Sequence, residues 1–539
     1  MRIALYGLPC AGKTTLMSSL SGVRVLHGSE ELQRISNGVF SKLSEKDKEQ
    51  VRIHYTEYVK SIVDETIISD GHYSFLDDVV FTDADGDLYD VFLYLYCKPE
   101  VLLRRYQLSE KNIKYAALSE TVISQWQYFE IESLRKECHM RGKDFYVISD
   151  NDKECCLEKF ICSMESGYSS FRHAKEIVNQ IRTIFPNPTM LYIVDGDKTI
   201  MKEDTYRYCC NGKTSIFDGD FYTGYQSWLF ADVLEHIIIK TDAIDELELN
   251  EEIWEVMKDN NYVILSAGIT ELWSDISIRK NLNNVIASPY ISADTKYFVV
   301  KELRALGYVI KAYGDSKIDV YMLKEADTGF LWIGDRISKS LKLEKLHGVK
   351  LIYNQDNYIL SEQSDEKILA DIATCKSNSG INGRKLAKAH FRLGNCIGKE
   401  LKNRIPEQNT ALLVLDRGGR FFGDGLYCGF GGHFYPYNPA NDEIPVFNQE
   451  VVVIVDSVIN TGKSIRELVS KLKERNPNIE IVIATNVIQK SAIDLFSDYL
   501  LFAVRVSDNC FIGKNQAVQK GNSGPDTADR LFNLIEKRF

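Results

Sequence analysis

Three short apolar runs in this chain each end in a different phosphate-handling sequence, and the three lie far apart. They are Gly7-Leu8-Pro9-Cys10-Ala11-Gly12-Lys13-Thr14, Asp195-Gly196-Asp197-Lys198-Thr199 and Asp456-Ser457-Val458-Ile459-Asn460-Thr461-Gly462-Lys463-Ser464. A turn of this kind works at the carboxyl end of a buried strand, where backbone N–H groups converge on an anion. Three of them therefore demand three parallel sheets. The length agrees: 539 residues, at roughly 100–200 residues per domain, make about three domains.

Periodicity places the strands and the joins. Strand-like runs at residues 2–6, 65–68, 91–96 and 144–148 alternate with amphipathic stretches such as 120–137, which reads as a parallel α/β domain over 1–168. A polar stretch at 165–173 and a helix at 174–184 follow, and Pro186 and Pro188 stop that helix. The second domain, 187–358, opens on the strand 190–194. Its strand pattern lapses into helical, aromatic-rich sequence between 200 and 260, as in an inserted cap. Strands resume at 262–266, 308–312 and 329–333. A charged stretch near 355–367 reads as the second linker. The third domain, 368–539, has a helix at 383–403 and strands at 412–415, 451–455, 479–485 and 500–504.

Composition narrows the setting. The net charge of −11 argues against non-specific nucleic-acid binding, since a phosphate backbone rewards Lys and Arg. The twelve cysteines form no CxxC, which fits reduced thiols in a cytoplasm. No run of about 18 or more apolar residues exists, so no membrane span is expected. The first motif begins too early to leave room for a signal peptide. Cytoplasmic residence is the expectation.

Gly7 to Thr14 fits GxxxxGK[ST] throughout, after a strand and before the helical stretch 15–20. Its glycines let the backbone close on phosphates, Lys13 reaches the β and γ phosphates, and the Thr14 hydroxyl binds Mg²⁺. Asp70 in Asp70-Gly71-His72 lies at a strand end, where a second metal-shell acid is wanted. Arg104 and Arg105 follow another strand, as phosphate-facing cations or as a solvated helix face. This set resembles the adenylate-kinase-like small nucleoside and nucleotide kinases, which implies a P-loop NTPase fold and ATP binding by Gly7, Gly12, Lys13, Thr14, Thr15, Arg104 and Arg105. Asp83-Ala84-Asp85-Gly86-Asp87 looks faintly like a calcium loop, but its glycine falls too early and the twelfth position is Tyr94. It reads as a turn.

Asp195 and Asp197, two residues apart at a strand end, suit attack on phosphorus by one carboxylate and proton handling by the other. The motif is weak alone, and Asp218-Gly219-Asp220 offers a similar pair without a strand. Its companions are Ser266 behind a strand, Lys296 before a helix with Lys301 as its rival, and Gly314-Asp315-Ser316-Lys317-Ile318-Asp319. In this order they resemble the four motifs of the haloacid dehalogenase (HAD) superfamily, closest to its phosphoserine-phosphatase branch. The resemblance implies a Rossmann-like fold with a small helical cap and a small-molecule substrate. It makes Asp195 the nucleophile, Asp197 the general acid and then base, and Ser266 and Lys296 the phosphoryl-oxygen holders. Asp195, Asp197, Asp315 and Asp319 then hold Mg²⁺.

The apolar run before Asp456 and the hydroxyl-rich turn Thr461-Gly462-Lys463-Ser464 suit a 5′-phosphate, with the acid facing ribose hydroxyls. They resemble the phosphoribosyl pyrophosphate (PRPP) loop of type I phosphoribosyltransferases. Ser457 replaces the usual second acid, as in the uracil phosphoribosyltransferases. Leu415-Asp416-Arg417-Gly418-Gly419 looks like that family's pyrophosphate loop, and Gly524-Pro525-Asp526-Thr527-Ala528-Asp529-Arg530-Leu531-Phe532 like its base-recognition segment. Phe391-Arg392 also matches. Carried over, Arg417, Gly418, Asp456, Asn460, Thr461, Gly462, Lys463 and Ser464 bind PRPP, Asp456 acting in catalysis, and Gly524, Pro525, Asp526, Thr527 and Ala528 bind the base. Two departures stand out. Lys463 replaces a glycine and needs a negative φ, and the base segment is less glycine-rich, which leaves a pyrimidine-like base with uracil foremost.

Together the resemblances imply a trifunctional α/β enzyme of nucleobase or nucleotide metabolism using Mg²⁺, ATP and PRPP. Its partners are small nucleobases and nucleotides rather than membranes or nucleic acid, with a homo-oligomer through the third domain in view. Two alternatives stand beside it: end repair of the polynucleotide kinase–phosphatase type, and PRPP or nucleotide sensing.

Overall fold

The computed structural model describes residues 1–534 apart from 77, 110–114, 150–153, 218, 220, 235–236, 335–336, 342–345, 347, 354–356, 363–365 and 509–525. The chain divides into two compact units, Met1–Gly314 with Ile318–Gly329 and Asp315–Lys317 with Phe330–Phe539. The fold is mixed α/β, and its main sheets are parallel where register is defined.

The first unit opens with β1 (Arg2–Tyr6), α1 (Lys13–Ser18), β2 (Arg24–Leu26), α2 (Gly28–Ile35), β3 (Ile67–Asp70), β4 (Val91–Tyr96), α3 (Pro99–Leu108), α4 (Glu120–Arg141) and β5 (Asp144–Ser149). The sheet order is β2-β3-β1-β4-β5. Alternation along the strands splits the core between two faces. Ile3, Leu5, Leu93 and Leu95 bury on one side; Ala4, Tyr6, Phe92 and Tyr94 bury on the other. A sheet covered on both faces needs such near-continuous apolar runs. Helix α4 starts where Ser119 Oγ accepts from the Val122 N–H at 3.3 Å and stops at Gly142 in the left-handed region. The faint calcium loop is instead a short helix, Asp83–Leu88, on a Thr82/Asp85 capping box.

The polar stretch expected as a join is packed. After α5 (Glu154–Glu165), Ser169 caps α6 (Ser170–Ile184) and the Phe171 N–H donates to the Asp144 carboxylate at 3.0 Å. The polar residues serve as caps and cross-links, which composition alone reads as linker.

Next come β6 (Met190–Val194), α7 (Gly224–Val233), β7 (Tyr262–Ser266), α8 (Thr270–Arg279), β8 (Val285–Ala287), α9 (Ala293–Ala305), β9 (Val309–Gly314) and α10 (Val320–Glu325), with parallel strands ordered β8-β7-β6-β9. The inserted segment packs against the first sheet. Tyr225 and Trp228 of α7 join the core of the first sheet. Thr223 Oγ1 accepts from the Val147 N–H at 3.2 Å, and Gln226 Nε2 donates to the Val147 carbonyl at 2.9 Å. The insert thereby satisfies backbone groups on the open edge of β5.

The second unit contains β10 (Tyr358–Ile359), α11 (Gly383–Arg404), β11 (Thr410–Leu415), α12 (Arg420–Phe430), β12 (His433–Tyr437), β13 (Val451–Ile459), α13 (Lys463–Arg475), β14 (Glu480–Gln489), β15 (Leu500–Ser507) and α14 (Thr527–Leu531). Its parallel sheet runs β10-β15-β14-β13-β11-β12. The expected linker at 355–367 is thus partly the edge strand β10, because Ile359 buries. Helices α11 and α12 touch backbone to backbone. A Cβ on Gly425 would lie 1.9 Å from the Phe391 carbonyl, on Gly394 2.1 Å from that of Phe422, and on Gly429 2.3 Å from that of Asn395. Among the described residues no helix is long and apolar enough to cross a membrane.

Candidate active sites

Each motif lies at the carboxyl end of a strand with neighbours on both sides: β1 between β3 and β4, β6 between β7 and β9, β13 between β14 and β11. There strand order reverses, and loops from both sides enclose a crevice.

After β1, Gly7 (φ +154°) and Gly12 (φ +105°) carry the chain around Lys13. A side chain at Gly7 would sit 2.9 Å from the Leu95 carbonyl. Lys13 Nζ donates to the Gly7 carbonyl at 2.6 Å and the Leu8 carbonyl at 3.2 Å. Burial lowers its pKa to about 8, against the pull of Asp70 and Glu130. Thr14 and Thr15 are exposed in the first turn of α1, as is Arg104 on α3. Asp70 accepts from the Gly28 N–H at 2.7 Å. Arg105 is no solvated cation: Nη1 donates to the Ala11 carbonyl at 2.8 Å and the Cys10 carbonyl at 3.2 Å, holding the loop from outside. The sequence reading missed Glu130. It is fully buried, accepts from the Ser74 N–H and hydroxyl at 2.8 Å and from Tyr94 at 2.9 Å, and burial raises its pKa. A lone acid on an amphipathic helix reads as surface; the aromatic residues around it were the only signal.

After β6, Asp195 turns toward Lys296 of α9. Lys296 Nζ is fully buried, donates to Asp195 Oδ1, and lies 2.7 Å from Asp319 Oδ1. Burial and Asp319 push the Asp195 carboxyl up to about 7, while Lys296 pulls it down. Burial opposes the Lys296 charge, yet Asp195 and Asp319 hold its pKa above the ordinary value. One carboxylate oxygen from each of Asp195, Asp315 and Asp319 lies within 4.8 Å of the others. Asp197 is fixed by a different contact: its Oδ1 accepts from the Thr205 N–H at 2.6 Å, and burial with Asp204 raises its pKa to about 6. Ser266 Oγ accepts from the Gly268 N–H at 3.0 Å, which leaves its hydrogen for another acceptor. Between the two candidate lysines the geometry is plain, because Lys301 donates to the His139 carbonyl instead.

Within β13, five consecutive buried residues, Val451 to Val455, precede Asp456, and the strand runs past the 451–455 expected from sequence to Ile459. Burial raises its pKa to about 7 and Asp526 adds to this, against N–H bonds from Ser457 and Val458. The positive φ of the following turn belongs to Gly462, at +68°, where a side chain would meet Phe496 at 2.9 Å. Lys463 starts α13, so its replacement of a glycine is tolerated. Thr461, Lys463 and Ser464 are exposed, and Asn460 Oδ1 accepts from Gln489 at 3.1 Å. A Cβ on Gly418 would lie 3.6 Å from Asp456 Oδ1, which brings the β11–α12 loop to the same place. Arg417 Nη2 donates to Asp529 at 3.0 Å. Asp526 caps α14 by accepting from the Ala528 N–H at 2.8 Å, with Thr527 in its first turn. Gly524 and Pro525 lie outside the described residues. Arg392 pairs with Asp371, and Phe391 is exposed. Arg530, unassigned from sequence, is almost fully buried and donates to the Lys376 and Ile381 carbonyls at 3.1 and 2.9 Å, fastening α14.

No curated protein matches the chain. Among solved structures it resembles a xanthine-guanine-hypoxanthine phosphoribosyltransferase from Helicobacter pylori, with 18% identity, 22% of this chain and 80% of that one, and a TM-score of 0.19. It also resembles a HAD family hydrolase from Salmonella enterica serovar Typhi, with 17% identity, 31% and 69% covered, and a TM-score of 0.22. The UMP synthase of Leishmania donovani gives 12% identity, 49% and 74% covered, and a TM-score of 0.20. Likenesses this weak carry no argument about activity. The family match is local and falls on the third site: residues 437–533 fit the model of the uracil phosphoribosyltransferases.

Proposed function

We propose that the chain is a trifunctional enzyme of nucleobase or nucleotide metabolism, with a kinase over 1–168, a phosphatase over 187–358 and a phosphoribosyltransferase over 368–539. The observation that carries it is the uracil-phosphoribosyltransferase match over 437–533, a stretch that contains Asp456, the turn 460–464 and α14. There a pyrimidine-like base, uracil foremost, bonds to C1 of PRPP as pyrophosphate leaves. N–H groups of 460–464 hold the 5′-phosphate, Asp456 accepts from the ribose hydroxyls, and Arg417 with Gly418 faces the diphosphate. Asp529 orients Arg417, and residues 524–528 meet the base.

In the phosphatase, Asp195 attacks phosphorus and the bond to the leaving oxygen breaks. Asp197, whose raised pKa keeps part of it protonated near neutrality, gives that oxygen a proton. It then takes one from the water that releases the aspartyl-phosphate. Ser266 and Lys296 hold the phosphoryl oxygens. Three carboxylates against one ammonium leave an all-oxygen donor set with excess negative charge, which fits Mg²⁺ at Asp195, Asp315 and Asp319. When bound, the ion supplies positive charge against the phosphoryl oxygens. In the kinase, Gly7, Gly12, Lys13, Thr14 and Thr15 take ATP phosphates, Thr14 and Asp70 suit its Mg²⁺, Arg105 shapes the loop and Arg104 faces the transferred group.

The test is the full chain with PRPP, ATP, Mg²⁺ and a panel of bases, read by mass spectrometry. A product heavier than its base by ribose phosphate, lost in Asp456→Asn, supports the reading. PRPP binding with no product from any base would sink it in favour of sensing.

A further inference from the structure

Helix α4 is one 22-residue rod that serves both sheets of the first unit. Through Gln127 and Glu130 it braces the loops beside Lys13. Two turns further on it reaches the phosphatase helices. Arg135 is 1% exposed; its Nη1 donates to the Tyr321 hydroxyl at 2.6 Å, its Nη2 to the Tyr222 carbonyl at 3.0 Å, and its Nε lies 3.4 Å from Asp294 Oδ1. His139, which burial keeps neutral, donates from Nε2 to the same Asp294 oxygen at 2.8 Å and stacks on Tyr297 at 3.8 Å. Burial opposes the Arg135 charge, and Tyr321, Asp294 and Glu132 more than restore it.

The partners matter through their neighbours in the chain. Asp294 stands two residues before Lys296 on α9, and Tyr321 two residues after Asp319 at the start of α10. Lys296 and Asp319 form the 2.7 Å pair beside the nucleophile. One guanidinium therefore ties together the two helix starts whose spacing sets that pair. Its planar fork can hold two such partners at fixed angles, which an ammonium cannot. We propose that Arg135, although carried by the first sheet's helix, is a positioning residue of the phosphatase site. The inference rests on the phosphatase reading above.

The test uses the full chain, para-nitrophenyl phosphate and Mg²⁺. Arg135→Met should lower kcat by up to about 100-fold, the scale of a misplaced catalytic group. KM should stay within about twofold, because Arg135 touches no substrate. Arg135→Lys should recover part of the loss, and Tyr321→Phe should lose less than Arg135→Met. Leu134→Ala, fully buried on the same helix, supplies a variant destabilised by packing alone, and its kcat should hold well below its melting point. If wild type and Arg135→Met turn over alike, or Leu134→Ala loses as much kcat as Arg135→Met, positioning is refuted while the phosphatase stands. A wild type without Mg²⁺-dependent turnover refutes both.

Discussion

Lys296→Met isolates the charge balance at the proposed phosphatase site. The ammonium is fully buried between Asp195 and Asp319, and methionine keeps most of its length and volume. Removing one partner of a buried pair leaves an uncompensated charge and costs about 3–5 kcal/mol. The compact unit that holds Lys296 exceeds about 250 residues, so at roughly 2 °C per kcal/mol or less the melting point should fall by up to about 10 °C. The pH dependence has a definite sign. The folded pKa of Asp195, already up at about 7 with Lys296 present, rises further without it. The native state then binds this proton more tightly than the unfolded one, so stability falls as pH rises from the ordinary carboxylate value through the raised one. Calorimetry should therefore show a large loss at pH 7.5 and a smaller one at pH 5.5. Added Mg²⁺ should recover part of the loss at pH 7.5, since three carboxylates remain for it. A variant as stable as wild type at pH 7.5, or equally destabilised at both pH values, would refute the reasoning.

Other perturbations follow from the same geometry. Asp456→Asn should abolish phosphoribosyl transfer, measured with labelled base, yet raise the melting point at pH 8, because a carboxyl with its pKa up at about 7 destabilises the fold once ionised. Gly425→Ala should cost about 1–3 kcal/mol by denaturant titration, as its Cβ forces α12 off the Phe391 carbonyl. Lys13 loses its charge as pH rises through about 8, so Mg²⁺–nucleotide affinity by calorimetry should weaken between pH 7 and 9, and Lys13→Ala should flatten that dependence.

The legible parts of the fold were local. Val451 to Val455 is apolar at every position, so a doubly covered parallel strand was the only economical reading, with Asp456 directly after that run, although the strand itself continues to Ile459. Edges and joins were less legible. Residues 358–359 looked like linker because one half-buried and one buried residue in a charged stretch make no periodic signal, although β15 pairs with them on its edge. The insert read as a small cap, and nothing in its composition says that Thr223 and Gln226 will meet Val147.

For the three proposed phosphate sites, order and residue type along the chain were enough to choose Asp195, Lys13 and Asp456 as candidates, since each lies in a motif behind its own apolar run. Only the tertiary structure separated Lys296 from Lys301, turned Asp197 toward Thr205, put Arg105 under the first loop, buried Glu130 beside Lys13 and set Arg135 against Asp294 and Tyr321. The physical reason is the range of the interactions. Strand, turn and helix start are decided by neighbours a few residues apart. The charge a buried group keeps also depends on partners far along the chain, such as Asp195 for Lys296 and Asp294 for Arg135, and their distance is fixed only when the sheets have packed.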